Sequence, residues 1–123
     1  MKKIILTTLI SFGLAIEAMK RGCAVARSGW NGKEMFIFIR PSDELSADFL
    51  VNNVRSIPKV VKDYFRAMFS WTAAEEASGN GPKDKKVKFG EYICMKAADG
   101  SIVNGWLASQ TDILADDWMI VGG

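Results

Sequence analysis

The spacing of apolar residues predicts a helix close to the N-terminus. Ser11 is a favourable N-cap, Lys20 and Arg21 suit a last turn, and Gly22 suits the residue that ends a helix. The apolar residues between these ends fall on one side of a helix: Phe12, Leu14, Ala15, Ala18 and Met19. The pattern therefore predicts an amphipathic helix between Ser11 and Gly22.

The residues before this helix support two interpretations. Met1 to Ile16 has the charged start and the apolar run of a signal peptide. Glu17 is unusual beside a cleavage site, and the apolar run is too short to span a membrane. If the helix is correct, residues 1–10 are an extra lead strand, a start-site extension or a disordered end.

An extended pattern follows and predicts a first β-hairpin. Cys23 to Arg27 is short and apolar, and Met35 to Ile39 is dense in aromatic and branched residues. The turn residues between them, Ser28 to Gly32, favour a reversal of the chain. Trp30 would then lie at the hairpin tip, where it either packs under the next element or is offered to a ligand or a partner subunit.

Residues 41–86 are predicted to be a variable helical insert that ends in a loop. Lys59 to Ala77 carries apolar residues at helical period and predicts one helix. A shorter helix is predicted between Pro41 and Pro58. The longer helix either packs on the sheet or lies between subunits, with Tyr64 or Trp71 near a shared pocket.

A second hairpin completes the predicted sheet. Asp99-Gly100 is a tight-turn pair between the predicted strands Val87–Ala97 and Ser101–Leu107. Hairpins imply antiparallel pairing. The sequence thus predicts a single α+β domain over residues 1–123: a small antiparallel sheet of hairpins with an N-terminal helix, a helical insert and a short C-terminal helix.

The short C-terminal helix is predicted from its capping signal. Ser109 and Asp112 have the spacing of a capping box, with Asp in place of the usual Glu or Gln. The Ser109 hydroxyl would accept a backbone N–H of the first turn, and the Asp112 carboxylate would accept the N–H of Ser109. Ile113 and Leu114 are then expected to face inward.

Candidate binding groups lie around this helix. Trp106 and Trp118 bracket it, and the backbone N–H groups of Gln110 and Thr111 would point out of its start, which suits an anion. Neutral and positive side chains lie on or beside this segment and the strands: Asn104, Ser109, Gln110, Thr111, Arg27, Lys88 and Lys96. A small nucleotide with two phosphates would use this set well, and so would another polar metabolite with a ring.

Composition removes several classes of function. The 123 residues include no histidine, which is the commonest general base and neutral metal ligand. A net charge of +2 argues against a protein that neutralises many phosphates of a nucleic-acid polymer. Cys23 and Cys94 lack metal-ligand spacing and are expected to be reduced thiols in a cytosol. We therefore predict no metal site and no cofactor.

Three segments in series resemble one known family. They are Val25–Lys33 with the following Met35–Ile37, then Met95–Val103, then Gly105–Trp118. Together they resemble the second Thoeris anti-defence family of phage proteins, a small phage domain formerly of unknown function. None of the three is a catalytic motif, and the specificity of the resemblance comes from their order along the chain.

The resemblance implies a function in immune evasion. Members of this family bind cyclic nucleotide immune signals, chiefly cyclic ADP-ribose isomers and in some cases cyclic dinucleotides, and hold them without cleavage. The resemblance also implies a homotetramer with ligand between subunits, in the cytoplasm of the infected bacterial host, with no membrane and no nucleic-acid polymer as partner. The candidate ligand-binding residues are Trp30, Trp106, Asn104, Ser109, Gln110 and Asp112, with the rings stacking and the polar groups bonding ribose or phosphate.

Two other classes of function stay open from the sequence. One is a metal-dependent hydrolase of the same signals that uses Asp112 and Asp116, which would share a helix face at this spacing. The other is a virion or protein-interaction module without a small ligand. In the binding interpretation Asp112 instead holds its segment in shape or accepts from a ribose hydroxyl.

Overall fold

The computed structural model describes residues 8–30 and 34–123. Residues 1–7 of the predicted lead segment 1–10 lie outside this range, as do the turn residues 31–33. The described residues form an α+β fold, as predicted, with these elements in chain order: α1 (Phe12–Lys20), β1 (Ala24–Arg27), β2 (Phe36–Arg40), β3 (Asp43–Ser46), α2 (Ala47–Asn52), α3 (Lys59–Met68), α4 (Ala73–Ser78), β4 (Lys86–Phe89), β5 (Tyr92–Lys96), β6 (Ile102–Asn104), α5 (Gln110–Leu114) and β7 (Trp118–Gly122).

These elements divide into two compact units. The first unit contains α1, β1, β2, β5, β6, α5 and β7, and the second unit is residues 42–90. The chain leaves the first unit after β2 and returns to it before β5. Whether residues 1–123 behave as one domain stays a prediction. No helix in the described part of the chain is long and apolar enough to cross a membrane.

The first unit is a five-stranded antiparallel sheet with the order β6-β5-β2-β1-β7. Both predicted hairpins are present. The hairpin of β1 and β2 lies within the sheet, and the hairpin of β5 and β6 forms one edge. The pairing of β2 with β5 joins them in register from Phe36 opposite Lys96 to Arg40 opposite Tyr92. β6 is shorter than predicted, and Gly105, at a φ of 77°, follows its last residue.

Helix α1 covers one face of this sheet and forms the main core. It begins as predicted, because the Ser11 hydroxyl accepts the N–H of Leu14 at 3.2 Å. Gly22, at a φ of 94°, follows the end of the helix. The buried residues of this core come from α1 and four strands: Phe12, Ala15, Ala18, Met19, Val25, Ile37, Met95 and Trp118.

The second unit contains a two-stranded sheet and three helices. β3 and β4 pair antiparallel from Asp43 opposite Phe89 to Ser46 opposite Lys86. The hydroxyl of Ser46 caps α2 by accepting the N–H of Phe49 at 3.1 Å. Strand β3 was not predicted, because it is four residues long and its Asp-Glu start lacks the alternation of a buried strand.

The single helix predicted over Lys59–Ala77 is wrong. The structure divides this segment into α3 and α4, and Ser70 between them has a φ of 53°. Thr72 and Glu75 form a capping box that starts α4. Trp71, in the same break, packs its ring against Gly81, where an added Cβ would lie 1.9 Å from the indole. The cap at Thr72 and the contact of Trp71 with Gly81 therefore interrupt the helix, although the helical spacing of apolar residues continues through this segment.

The single strand predicted over Val87–Ala97 is also wrong. The segment forms two strands, β4 and β5, which are separated at Gly90 and belong to different sheets. β4 pairs with β3 in the second unit, whereas β5 pairs with β2 and β6 in the first. The change of partner depends on residues distant in sequence, so the apolar run alone does not reveal it.

Candidate ligand-binding site

Four aromatic rings form a cluster on the α1 side of the first unit. Trp118 is fully buried, and its ring lies 5.0 Å from that of Phe12 and 5.4 Å from that of Trp30, centroid to centroid. Trp106 contacts both other indoles edge to face, at 6.2 Å from Trp30 and 6.4 Å from Trp118. Trp30 and Trp106 are only partly buried, so part of each of these two residues is accessible to solvent.

The predicted capping box at α5 is present. The Ser109 hydroxyl accepts the N–H of Asp112 at 3.1 Å, and Asp112 Oδ2 accepts the N–H of Ser109 at 3.1 Å. The same oxygen also accepts the Ser109 hydroxyl at 2.8 Å. The main-chain carbonyl of Asp112 accepts the indole N–H of Trp118 at 2.9 Å. Asp112 therefore connects the start of α5 to the centre of the aromatic cluster.

Arg27 joins this cap to the end of β1. Its Nη1 donates to Asp112 Oδ1 at 3.0 Å, and its Nε donates to Asp117 Oδ1 at 2.9 Å. The hydroxyl of Ser28 donates to Asp117 Oδ2 at 3.0 Å. The Arg27, Asp112 and Asp117 side chains are 21%, 16% and 28% exposed, so they are partly shielded from water. We call these three side chains the Arg27 bracket.

The bracket favours the ionised form of both carboxylates. Burial opposes ionisation of Asp112, but hydrogen bonds from Ser109 and Arg27 outweigh it and lower the pKa of Asp112 below its ordinary value. The guanidinium of Arg27, followed by the hydroxyl of Ser28, lowers the pKa of Asp117. Hydrogen bonds to Asp117 and then to Asp112 raise the pKa of Arg27, so the pairs are fully charged at neutral pH.

The structure brings four of the six predicted site residues together. Two of them, Trp30 and Trp106, contact the ring of Trp118. Asp112 belongs to the Arg27 bracket, and Ser109 is bound to Asp112. Gln110 is the first residue of α5 and is exposed beside them. The predicted roles of these residues toward a ligand stay predictions.

Asn104 lies apart from this group. Its Oδ1 accepts the Cys94 thiol at 3.4 Å, and the two residues are cross-strand partners in β6 and β5. Met95 packs with the α1 core, so the alternation of side chains along β5 places Cys94 and Asn104 on the opposite face of the sheet. The sequence placed Asn104 within one short polar segment and did not account for this alternation.

The prediction that Ile113 and Leu114 face inward is wrong. These side chains are 48% and 77% exposed, and no residue of α5 is buried. The helix is held by its polar contacts, while its flanking Ala108 and Ala115 contact the core instead. Because α5 has only five residues, it has little macrodipole to offer an anion.

Arg27 and Asp117 were not predicted to act together. Arg27 is predicted from the sequence to supply positive charge to a ligand, whereas the structure pairs it with two carboxylates. Arg27 and Asp117 are separated by 90 positions, and no local pattern connects them. The sequence contains one indication of this pairing, which is the charge of Arg27 at the end of an otherwise apolar strand. Such a charge indicates an acidic partner but does not identify the residue.

Asp112 and Asp116 are the candidate metal ligands of the hydrolase hypothesis. No group of three potential metal ligands lies together among residues 8–30 and 34–123. Asp116 follows the end of α5 instead of sharing a helix face with Asp112, and it is exposed. Cys23 and Cys94 are free thiols.

The fold and this cluster define a small α+β domain of antiparallel hairpins with a tryptophan-rich candidate binding surface. The family model described as a Thoeris anti-defense 2-like domain matches residues 10–121, so the chain belongs to this family. A similar protein is Thoeris anti-defense 2 of Bacillus phage SP01, which is 39% identical over 114 residues, or 93% of this chain and 97% of the phage protein. Family membership makes the chain a Thoeris anti-defence protein.

Proposed function

We propose that the protein binds a cyclic nucleotide immune signal and keeps it from its receptor without breaking a bond. The observation that carries this proposal is the pair of partly buried indoles, Trp30 and Trp106, fixed edge to face around Trp118. Indole faces stack with nucleobases, and a ring fixed by packing loses little freedom when a ligand binds. Membership in a Thoeris anti-defence family supports the choice of an immune signal as ligand.

The ligand class follows from the groups beside the rings. Ser109 and Gln110 are exposed polar side chains near Trp106 and suit the hydroxyl groups of a ribose. Asp112 has both carboxylate oxygens engaged by Ser109 and Arg27, so we assign it the shaping role and not a ribose contact. A cyclic ADP-ribose isomer presents an adenine and two riboses, and is therefore the first ligand to test.

Binding alone suffices for this function, provided that it is tight. A dissociation constant below about 1 μM corresponds to more than about 8 kcal/mol. We further propose that copies of the chain associate, as a tetramer, and that they act in the cytoplasm of the infected bacterium. Two subunits that each contribute a ring would enclose more of a ligand than one surface does.

A titration with tryptophan fluorescence tests this proposal. The probe is a cyclic ADP-ribose isomer produced by an activated Thoeris immune enzyme. We expect tight binding by the parent protein, and affinity lower by about tenfold or more in Trp30→Leu or Trp106→Leu, which lose the stacking energy of one ring. Phe49→Leu is the matched control, because Phe49 is an exposed ring of the second unit, 47% accessible. Equal affinity in all four proteins would contradict the assigned site.

A further inference from the structure

Helix α5 has little apolar attachment to the first unit. It is five residues long, and none of them is buried. A helix of this length is not stable by itself, because nucleation costs more than so few hydrogen bonds return. Beyond its contact with α1 and the contacts of its flanking alanines, α5 is connected to the sheet by polar groups.

Among the residues that the structure describes, two side-chain hydrogen bonds provide this connection, and both end on Asp112. Trp118 Nε1 donates to the Asp112 carbonyl at 2.9 Å, and Arg27 Nη1 donates to Asp112 Oδ1 at 3.0 Å. Arg27 is itself fixed, because it is the last residue of β1 and its Nε is bound to Asp117. Asp117 is held in turn by Ser28, through the hydroxyl and through the Ser28 N–H to the Asp117 carbonyl at 3.0 Å.

The charge of the bracket argues against a direct role for Arg27 in phosphate binding. One guanidinium is bound to two carboxylates, so the three side chains together carry a net negative charge. The two nearest partners of Arg27 are at hydrogen-bond distance, and a ligand phosphate would have to displace one of them or approach against this charge.

We propose that Arg27 is a positioning residue: it tethers α5 to the end of β1 and thereby fixes the Trp106–Asp112 segment that grips the ligand. The tether is a property of the free protein. Its effect on affinity rests on the proposed function, so the two parts are tested by separate measurements.

Hydrogen exchange of the Trp118 indole N–H tests the tether without any ligand. We expect Arg27→Gln to raise the exchange rate of this group about tenfold or more relative to the slowest amides of β2 and β5, because α5 then opens without the sheet. Arg27→Lys, which keeps the charge but loses the fork that binds two carboxylates, is expected to show a smaller rise in the same ratio and serves if the Gln variant does not fold.

One control variant makes this measurement specific. Arg66→Gln removes a similar bracket in the second unit, where Arg66 binds Asp63 at 2.7 Å and Glu76 at 3.0 Å. It is expected to leave the exchange ratio unchanged. An unchanged ratio in the Arg27 variants would overturn the tether.

Binding of the cyclic ADP-ribose isomer at two salt concentrations tests the positioning role. We expect Arg27→Gln to weaken binding about tenfold at both concentrations, because no charge contact to the ligand is lost. A loss of affinity that shrinks as salt rises would instead indicate a direct phosphate contact and overturn the assignment, as would faster indole exchange with unchanged affinity. A parent protein that binds no nucleotide would contradict the proposed function alone, and the exchange ratio would still decide the tether.

Discussion

The indole N–H of Trp118 donates to the main-chain carbonyl of Asp112 across 2.9 Å. Trp118 is fully buried between α1 and the sheet, whereas Asp112 lies in a helix with no buried residue. This bond therefore links a fully buried residue of the first unit to the segment that we assign to ligand binding. A buried indole needs such a partner, since an unpaired N–H in a core is costly.

Replacement of Trp118 by Phe tests this link. The substitution removes the donor and leaves a small cavity, so we expect the free energy of unfolding in urea to fall by about 2–3 kcal/mol. Trp106→Phe is the control, because Trp106 is only partly buried and keeps a ring of similar shape; we expect a loss of about 1 kcal/mol or less. Equal losses in the two variants would argue against a special role for the Trp118 bond.

The capping box makes a separate prediction. Ser109→Ala removes the acceptor for the Asp112 N–H and the hydroxyl that binds the Asp112 carboxylate, so we expect stability to fall by about 1 kcal/mol. Thr111→Ala, an exposed substitution in the same helix, should change the free energy of unfolding by about 0.5 kcal/mol or less. A Thr111 variant as destabilised as the Ser109 variant would contradict the capping role.

The Arg27 bracket predicts a loss of stability in acid. The pKa values of Asp112 and Asp117 are lower in the folded protein than in the unfolded chain, where an Asp has a pKa of about 3.9. Their contribution is therefore fully present well above that pH and is lost as the pH falls through the lower folded values. We expect urea midpoints to be nearly constant from about pH 6 to 7 and to fall below about pH 4.

A single substitution checks that the bracket causes part of this loss. In Asp117→Asn one of the two titrating groups is absent, so its urea midpoint should be lower at neutral pH and should fall less steeply in acid than that of the parent protein. Parallel acid profiles for the two proteins would mean that other carboxylates carry the effect.

Substitution of Gly81 tests the packing of Trp71 in the second unit. A Cβ at this position would lie 1.9 Å from the Trp71 ring, whereas a Cβ at Gly90 would meet nothing within 4 Å. Gly81→Ala should therefore destabilise the protein by about 1–3 kcal/mol, and Gly90→Ala should be close to neutral. If the double variant Gly81→Ala, Trp71→Leu regains stability, the loss in Gly81→Ala comes from its contact with the Trp71 ring. A Gly81→Ala variant as stable as the parent protein would contradict this packing.

The features that the sequence predicted correctly are those with local causes. The Ser11 cap, the Asp99-Gly100 turn and the Ser109 to Asp112 capping box each depend on residues within a few positions, and all three are present. Local chemistry also explains the antiparallel hairpins, since a short turn between two apolar runs permits no other pairing.

The features that were missed depend on distant partners. Arg27 meets Asp112 and Asp117 at separations of 85 and 90 residues, and Trp71 ends a helix by packing on Gly81. The burial of α5 was misjudged for a related reason, because Ile113 was assumed to anchor a helix that is in fact anchored through Asp112. Four of the six predicted site residues lie together near one buried indole, but only the fold reveals that Asn104 is on the other sheet face.

The most direct test of the central claim is the fate of the bound ligand. The protein is incubated with the cyclic ADP-ribose isomer, separated from free nucleotide, denatured, and its released nucleotide is analysed by chromatography, with and without a metal chelator. We expect intact cyclic nucleotide in a fixed ratio to protein chains, unchanged by the chelator. A linear product, or turnover that the chelator abolishes, would contradict sequestration and indicate a hydrolase.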